Sequence, residues 1–75
     1  MNNYILVTGF YPSKSSAEKV LKKARAICKT ATIEPYEEAY MVVLAESSNY
    51  NEIDNLFSKY MKQKLYCGVM LYDRV

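Results

Sequence analysis

Tyr4-Ile5-Leu6-Val7 is answered thirty-six residues later by Tyr40-Met41-Val42-Val43. The same offset lays Glu18-Lys19-Val20-Leu21 on Asp54-Asn55-Leu56-Phe57, Ile33 on Val69, and Tyr36-Glu37 on Tyr72-Asp73. Few of these pairs are identical. What recurs is an order of periods: an apolar strand, a polar turn, an amphipathic helix and a second strand. The chain therefore reads as one domain, residues 1–75, built from two similar halves at about 3–37 and 39–73.

Within the first half, a strand from Tyr4 to about Tyr11 is rich in β-branched and aromatic residues and is stopped by Pro12-Ser13-Lys14. Ser15, with Glu18 three residues on, has the spacing of a capping box. Ala17, Val20, Leu21, Ala24 and Ile27 then form one helical stripe, with Lys19, Lys22, Lys23 and Arg25 facing away. A short strand follows at about Thr30 to Glu34, and Pro35 suits its end or a sheet edge. The second half gives a strand from Ala39 to Ala45 and a cap at Asn51 with Asp54. Its helix carries the stripe Ile53, Leu56, Phe57, Tyr60 and Met61, and a last strand runs from Leu65 to Tyr72. Two such units with right-handed crossovers give an α+β, ferredoxin-like βαββαβ fold. Its four-stranded antiparallel sheet has strand order four-one-three-two and both helices on one face.

Ten basic and eight acidic side chains leave no polyelectrolyte tail. Met1-Asn2-Asn3 lacks the basic and apolar regions of a signal peptide, and the apolar stretch Tyr40 to Ala45 is too short to cross a bilayer. As written, the chain is expected in the cytoplasm, away from the membrane; a periplasmic or cell-wall site follows if it is a piece of an exported protein. The two cysteines, Cys28 and Cys67, are expected to be buried, reduced thiols. With no CxxC and no histidine, a zinc site lacks its usual ligands, and no metal or cofactor is expected.

Strand alternation assigns side chains to faces. The reading places Ile5, Val7, Ala31, Ile33, Met41, Val43, Leu65, Cys67, Val69 and Leu71 beneath the helices. The open face then receives Tyr4, Leu6, Thr8 and Phe10, then Tyr40, Val42 and Leu44, then Tyr66, Gly68, Met70 and Tyr72. A solvated face should be polar. An apolar face ringed by tyrosines calls for a cover. The partner-binding set is accordingly Tyr4, Leu6, Phe10, Tyr40, Val42, Leu44, Tyr66, Met70 and Tyr72. The alternative is that the register is off, a slip of one residue swapping the faces, or that strand twist and the tyrosines shield the patch within one chain.

Tyr4-Ile5-Leu6-Val7-Thr8-Gly9-Phe10 followed by Ser15-Ser16-Ala17-Glu18-Lys19-Val20-Leu21 resembles the opening of a SPOR domain. The likeness extends over the whole chain in topology and is specific over Tyr4 to Leu21. It implies a duplicated βαββαβ fold that binds peptidoglycan glycan strands lacking stem peptides on the open sheet face. Several positions depart from the family pattern. A frequent glutamine falls on Leu6, a frequent arginine has no counterpart around Met41 and Val42, and a glycine falls on Ala45. Tyr4, Phe10 and Tyr40 remain to stack on sugars. These departures favour an apolar contact.

Catalysis finds no constellation: there is no histidine, no GxSxG and no phosphate-binding glycine loop. Glu37-Glu38 reads as a solvated turn. RRM proteins share the fold, but Leu6 stands where an aromatic should stack, and Met41-Val42-Val43-Leu44-Ala45 lacks the glycine, basic and aromatic content of the second RNA-binding motif. Lys19, Lys22, Lys23, Arg25 and Lys29 lie on the helix side, away from the aromatic face, which weighs against nucleic acid. The expected function is a small non-enzymatic binding module, a stand-alone regulator or phage-type inhibitor, that self-associates as a homodimer or binds a protein partner. The alternative is SPOR-like glycan binding, and RNA binding stands behind both.

Overall fold

Two short polar turns set where the helices begin. In the computed structural model, which describes residues 2–73, the chain runs β1 (Asn2–Tyr11), α1 (Lys14–Arg25), β2 (Thr32–Tyr36), β3 (Ala39–Ser47), α2 (Tyr50–Lys62) and β4 (Gly68–Asp73). Pro12 ends β1, and Ser13 in extended conformation caps α1, its Oγ accepting the Ser16 N–H at 3.2 Å. Asn49 caps α2 in the same way, its Oδ1 accepting the Asn51 N–H at 2.9 Å. The expected caps, Ser15 and Asn51, therefore lie inside the first turns. The nearer oxygen after each strand captures the free N–H groups before the spacing to Glu18 or Asp54 can act.

The C-terminus of α2 is closed by a Schellman arrangement. The Leu65 N–H reaches the Tyr60 carbonyl at 2.9 Å and the Lys64 N–H reaches that of Met61 at 3.0 Å. Lys64 takes the left-handed conformation, φ 65°, at the position where glycine is usual. The close of this helix explains why β4 begins at Gly68 rather than at the expected Leu65.

The four strands form one antiparallel sheet in the order β2-β3-β1-β4, with β1 and β3 central, as the βαββαβ reading requires. Pro35 lies within β2, which extends to Tyr36 at the sheet edge. Both helices pack on one face. There Ala17 and Ala24 of α1 and Ile53 and Tyr60 of α2 enclose Leu6, Val42 and Leu44, together with Cys28 and Ala31. Val20, Leu21, Leu56 and Phe57 pack around them, while Ile27, at the end of the expected stripe, is exposed and Cys28 takes the buried place. No helix among the described residues is long and apolar enough to cross a membrane.

The two central strands turn the opposite way from the sequence expectation. Leu6, Val42 and Leu44 lie beneath the helices, while Ile5, Val7, Met41 and Val43 form a separate cluster on the open face. The reason is register. Leu6 pairs with Val69 and Ile33 pairs with Val42, and paired residues share a face. In the edge strands Ile33 and Val69 face the helices and Met70 and Tyr72 face away, as expected, and Ala31, Leu65 and Cys67, outside the strands, pack on the same helix-side core; Leu71, expected beneath the helices, is exposed. Central-strand parity that agrees with those edges must place Leu6 and Val42 inside.

Candidate functional site

The open face carries its apolar residues under a roof of rings. Ile5 and Met41 are 0% exposed although no helix covers them. Tyr36 of β2 and Met70 and Tyr72 of β4 pack over this cluster. Phe10 and Tyr36 stand 5.3 Å apart between ring centroids, tilted by 44°, and Tyr36 and Tyr72 stand 5.9 Å apart, tilted by 52°. Three aromatic rings thus form a row that links the two edge strands of the sheet, with Tyr36 in the middle. The shielding within one chain that the sequence allowed is the arrangement found.

Phe10 reaches this row because β1 is irregular. Val7 lies opposite Val43 and Phe10 opposite Met41, so β1 holds one residue more than its partner between these pairs. Gly9 absorbs the bulge with φ 155°, and a Cβ there would meet the Tyr11 hydroxyl at 3.3 Å. Without the bulge Phe10 would share the face of Leu6; with it, Phe10 joins Met41, and Tyr11 turns to the helix side beside Thr8, their hydroxyl oxygens 3.0 Å apart.

Of the nine expected contact residues, Phe10, Met70 and Tyr72 lie on the open face. Leu6, Val42 and Leu44 are buried beneath the helices, and Tyr4 and Tyr40 pack against the same helix-side core, Tyr4 edge-on to Tyr50 at 5.3 Å. These five cannot meet a partner on the open face while the domain is folded, so the apolar run that motivated self-association is interior. Tyr66 lies between α2 and β4, 67% exposed. Sequence reasoning missed Tyr36, which it left in a connection. The signal was available: Thr32, Glu34 and Tyr36 alternate with Ile33, and the thirty-six-residue offset pairs Tyr36 with the Tyr72 it touches.

At one end of the row, where β1 ends and β2 turns into β3, lies an open pocket of about 430 Å³. Phe10, Pro12, Tyr36 and Ala39 give it an apolar lining, and Glu37 and Glu38 stand at its rim. Phe10 is 48% exposed there. Glu37 is held at φ 54°, a left-handed conformation that costs a non-glycine residue about 1–2 kcal/mol.

Polar chemistry on the helix side is structural. Cys28 and Cys67 are free thiols, the first buried and the second half-buried. Burial pushes the Cys28 thiol up, but hydrogen bonds from Thr30 and Tyr60 and from the backbone outweigh it and leave it below its usual value. Tyr60 is pushed up to about 12, by its hydrogen bond to Cys28 first and by burial second. Burial raises Cys67. Among the described residues no group of three or more His, Cys, Asp or Glu is arranged to hold a metal.

No protein-family model matches the chain. No curated protein matches it. Among solved structures it is similar to the solution structure of the peptidoglycan binding domain of the B. subtilis cell wall lytic enzyme CwlC. The TM-score is 0.79 over 97% of this chain and 92% of that one, at 19% identity. At that identity the likeness is one of fold, and it covers the whole βαββαβ arrangement.

Proposed function

We propose that this chain is a non-enzymatic binding module whose open sheet face takes a glycan strand of the peptidoglycan type. The observation that carries the reading is the row Phe10–Tyr36–Tyr72, with exposed ring surface on the one face that no helix covers. Aromatic faces stack on the C–H faces of sugar rings, and a row of rings suits a linear polymer better than a single small ligand. The similarity in fold to a peptidoglycan binding domain supports the same choice over a protein partner. On this reading the domain works in the cell wall rather than in the cytoplasm. Tyr36 and Phe10 are the principal contacts, Tyr72 extends the row, and Met70 supports it from below.

The test is a titration of isotope-labelled protein with glycan strands freed of stem peptides, followed by NMR. Shifts should concentrate on Phe10, Tyr36 to Ala39 and Tyr72. Phe10→Ala should weaken binding by about tenfold, the loss of one stacked ring. Absence of any shift at saturating glycan would sink the reading. A dimer in sedimentation that Phe10→Asp dissociates would return the face to a protein partner.

A further inference from the structure

The charges of this chain are segregated, and the aromatic face lies in the acidic sector. From Thr30 to Ser58 there is no lysine or arginine, whereas six of the eight acidic residues fall there. None of the four strands contains a basic residue. Basic side chains lie instead on the two helices, Lys14, Lys19, Lys22, Lys23 and Arg25 on α1 and Lys59 and Lys62 on α2, which pack against the other face of the sheet. On the open face, Glu34 pairs in register with Met41 and Glu46 with Ile5, so both carboxylates flank the apolar cluster. Glu37 and Glu38 complete the pattern at the rim of the Phe10–Tyr36 pocket.

We propose that this pocket takes an amino-sugar unit with a free ammonium group, a de-N-acetylated residue of the glycan strand. The inference rests on the glycan reading and deepens it. The apolar lining of Phe10, Pro12 and Tyr36 offers flat surface to one face of a pyranose ring. A volume of about 430 Å³ is of the size that holds a small organic ligand and far exceeds what a bare ammonium needs. The ring faces of Phe10 and Tyr36 attract a cation through their quadrupoles. Glu37 and Glu38 bring negative charge to the same rim, with no basic residue of the β2–β3 hairpin to neutralise it. The lactyl carboxylate that alternate sugars of a strand freed of stem peptides carry would be disfavoured at this rim, so the unit the pocket takes is the neighbouring glucosamine. Lys14 follows Pro12 by two residues and offsets part of the rim's negative charge, but Glu37 and Glu38 line the pocket itself.

The experiment compares two tetrasaccharides by calorimetry at slightly acid pH and low salt: a fully de-N-acetylated glucosamine tetramer and its N-acetylated counterpart. The free-amine tetramer should bind about tenfold more tightly, and high salt should close the gap. In a Glu37→Gln/Glu38→Gln variant, isosteric and at exposed positions, the two ligands should bind within about twofold of each other, while Tyr36→Ala should weaken both. If the N-acetylated tetramer binds as well as the free amine or better, the amino-sugar inference is overturned and the glycan reading stands. If neither binds, the amino-sugar inference is overturned, and the titration with stem-peptide-free strands decides the glycan reading separately. If tetralysine binds as tightly as the glucosamine tetramer, charge alone is being read and the sugar part of the inference is overturned.

Discussion

The two faces of the sheet hide similar apolar side chains by different means, and that difference sets how each responds to a lost side chain. Beneath the helices, Leu6, Val42 and Leu44 are enclosed by backbone-anchored side chains of α1 and α2. On the open face, Ile5 and Met41 are equally buried, but the cover consists of side chains alone, chiefly Tyr36, Met70 and Tyr72. A helix cannot move aside without unfolding, whereas a ring can change rotamer. One face is therefore a helix-covered core and the other a core covered by side chains alone.

This contrast is sharpest in paired truncations. Leu44→Ala should cost about 3–5 kcal/mol, because α1 and α2 cannot collapse into the hole. Met41→Ala removes a comparable volume and should cost nearer to about 2 kcal/mol, since the rings can settle into the space. Urea denaturation of both variants decides the matter, and equal losses would mean that the open face is as rigid as the helix side. Gly9→Ala comes next, at roughly 1–3 kcal/mol, because its backbone conformation and the nearby Tyr11 hydroxyl both resist a Cβ. The same variant should disturb the NMR signals of Phe10 more than those of Leu6; a uniform disturbance would deny the bulge its role in presenting Phe10.

The helix side should also carry a signature in alkaline solution. Tyr60 has its pKa raised from 10.0 to about 12 in the folded state, so its contribution is fully present below pH 10 and is lost as pH climbs toward 12. Below that window the thiols oppose one another, since Cys28 is lowered and Cys67 raised. Chemical denaturation between pH 10 and 12 should show stability falling for the parent chain and falling less for Tyr60→Phe. Parallel slopes would remove Tyr60 as the cause.

The smallest effects come from the two left-handed residues, Glu37 and Lys64. Glycine at either position relieves backbone strain and should stabilise the domain by about 1 kcal/mol. Lys64→Gly, at the end of α2, should leave glycan binding unchanged. Glu37→Gly should weaken it, because the strained residue stands at the pocket rim. Equal binding by both variants would show that Glu37 is merely a turn residue.

Sequence by itself determined the order of elements, the strand order and the outward direction of the edge strands. These rest on local periodicity, and in β2 the contrast of Thr32 and Glu34 with Ile33 leaves one choice of face. Phe10, Met70 and Tyr72 were legible as open-face residues, although Phe10 reaches that face only through the bulge at Gly9. What only the tertiary structure decided was the facing of β1 and β3. Both sides of Tyr4-Ile5-Leu6-Val7 and Tyr40-Met41-Val42-Val43 are apolar, so alternation has no polar residue to break the tie. Pairing with the edge strands breaks it, through Leu6 with Val69 and Ile33 with Val42. The same pairing brings Tyr36, from a segment that reads as a loop, to the centre of the ring row. Its place depends on neighbours distant in sequence, which no local period can report.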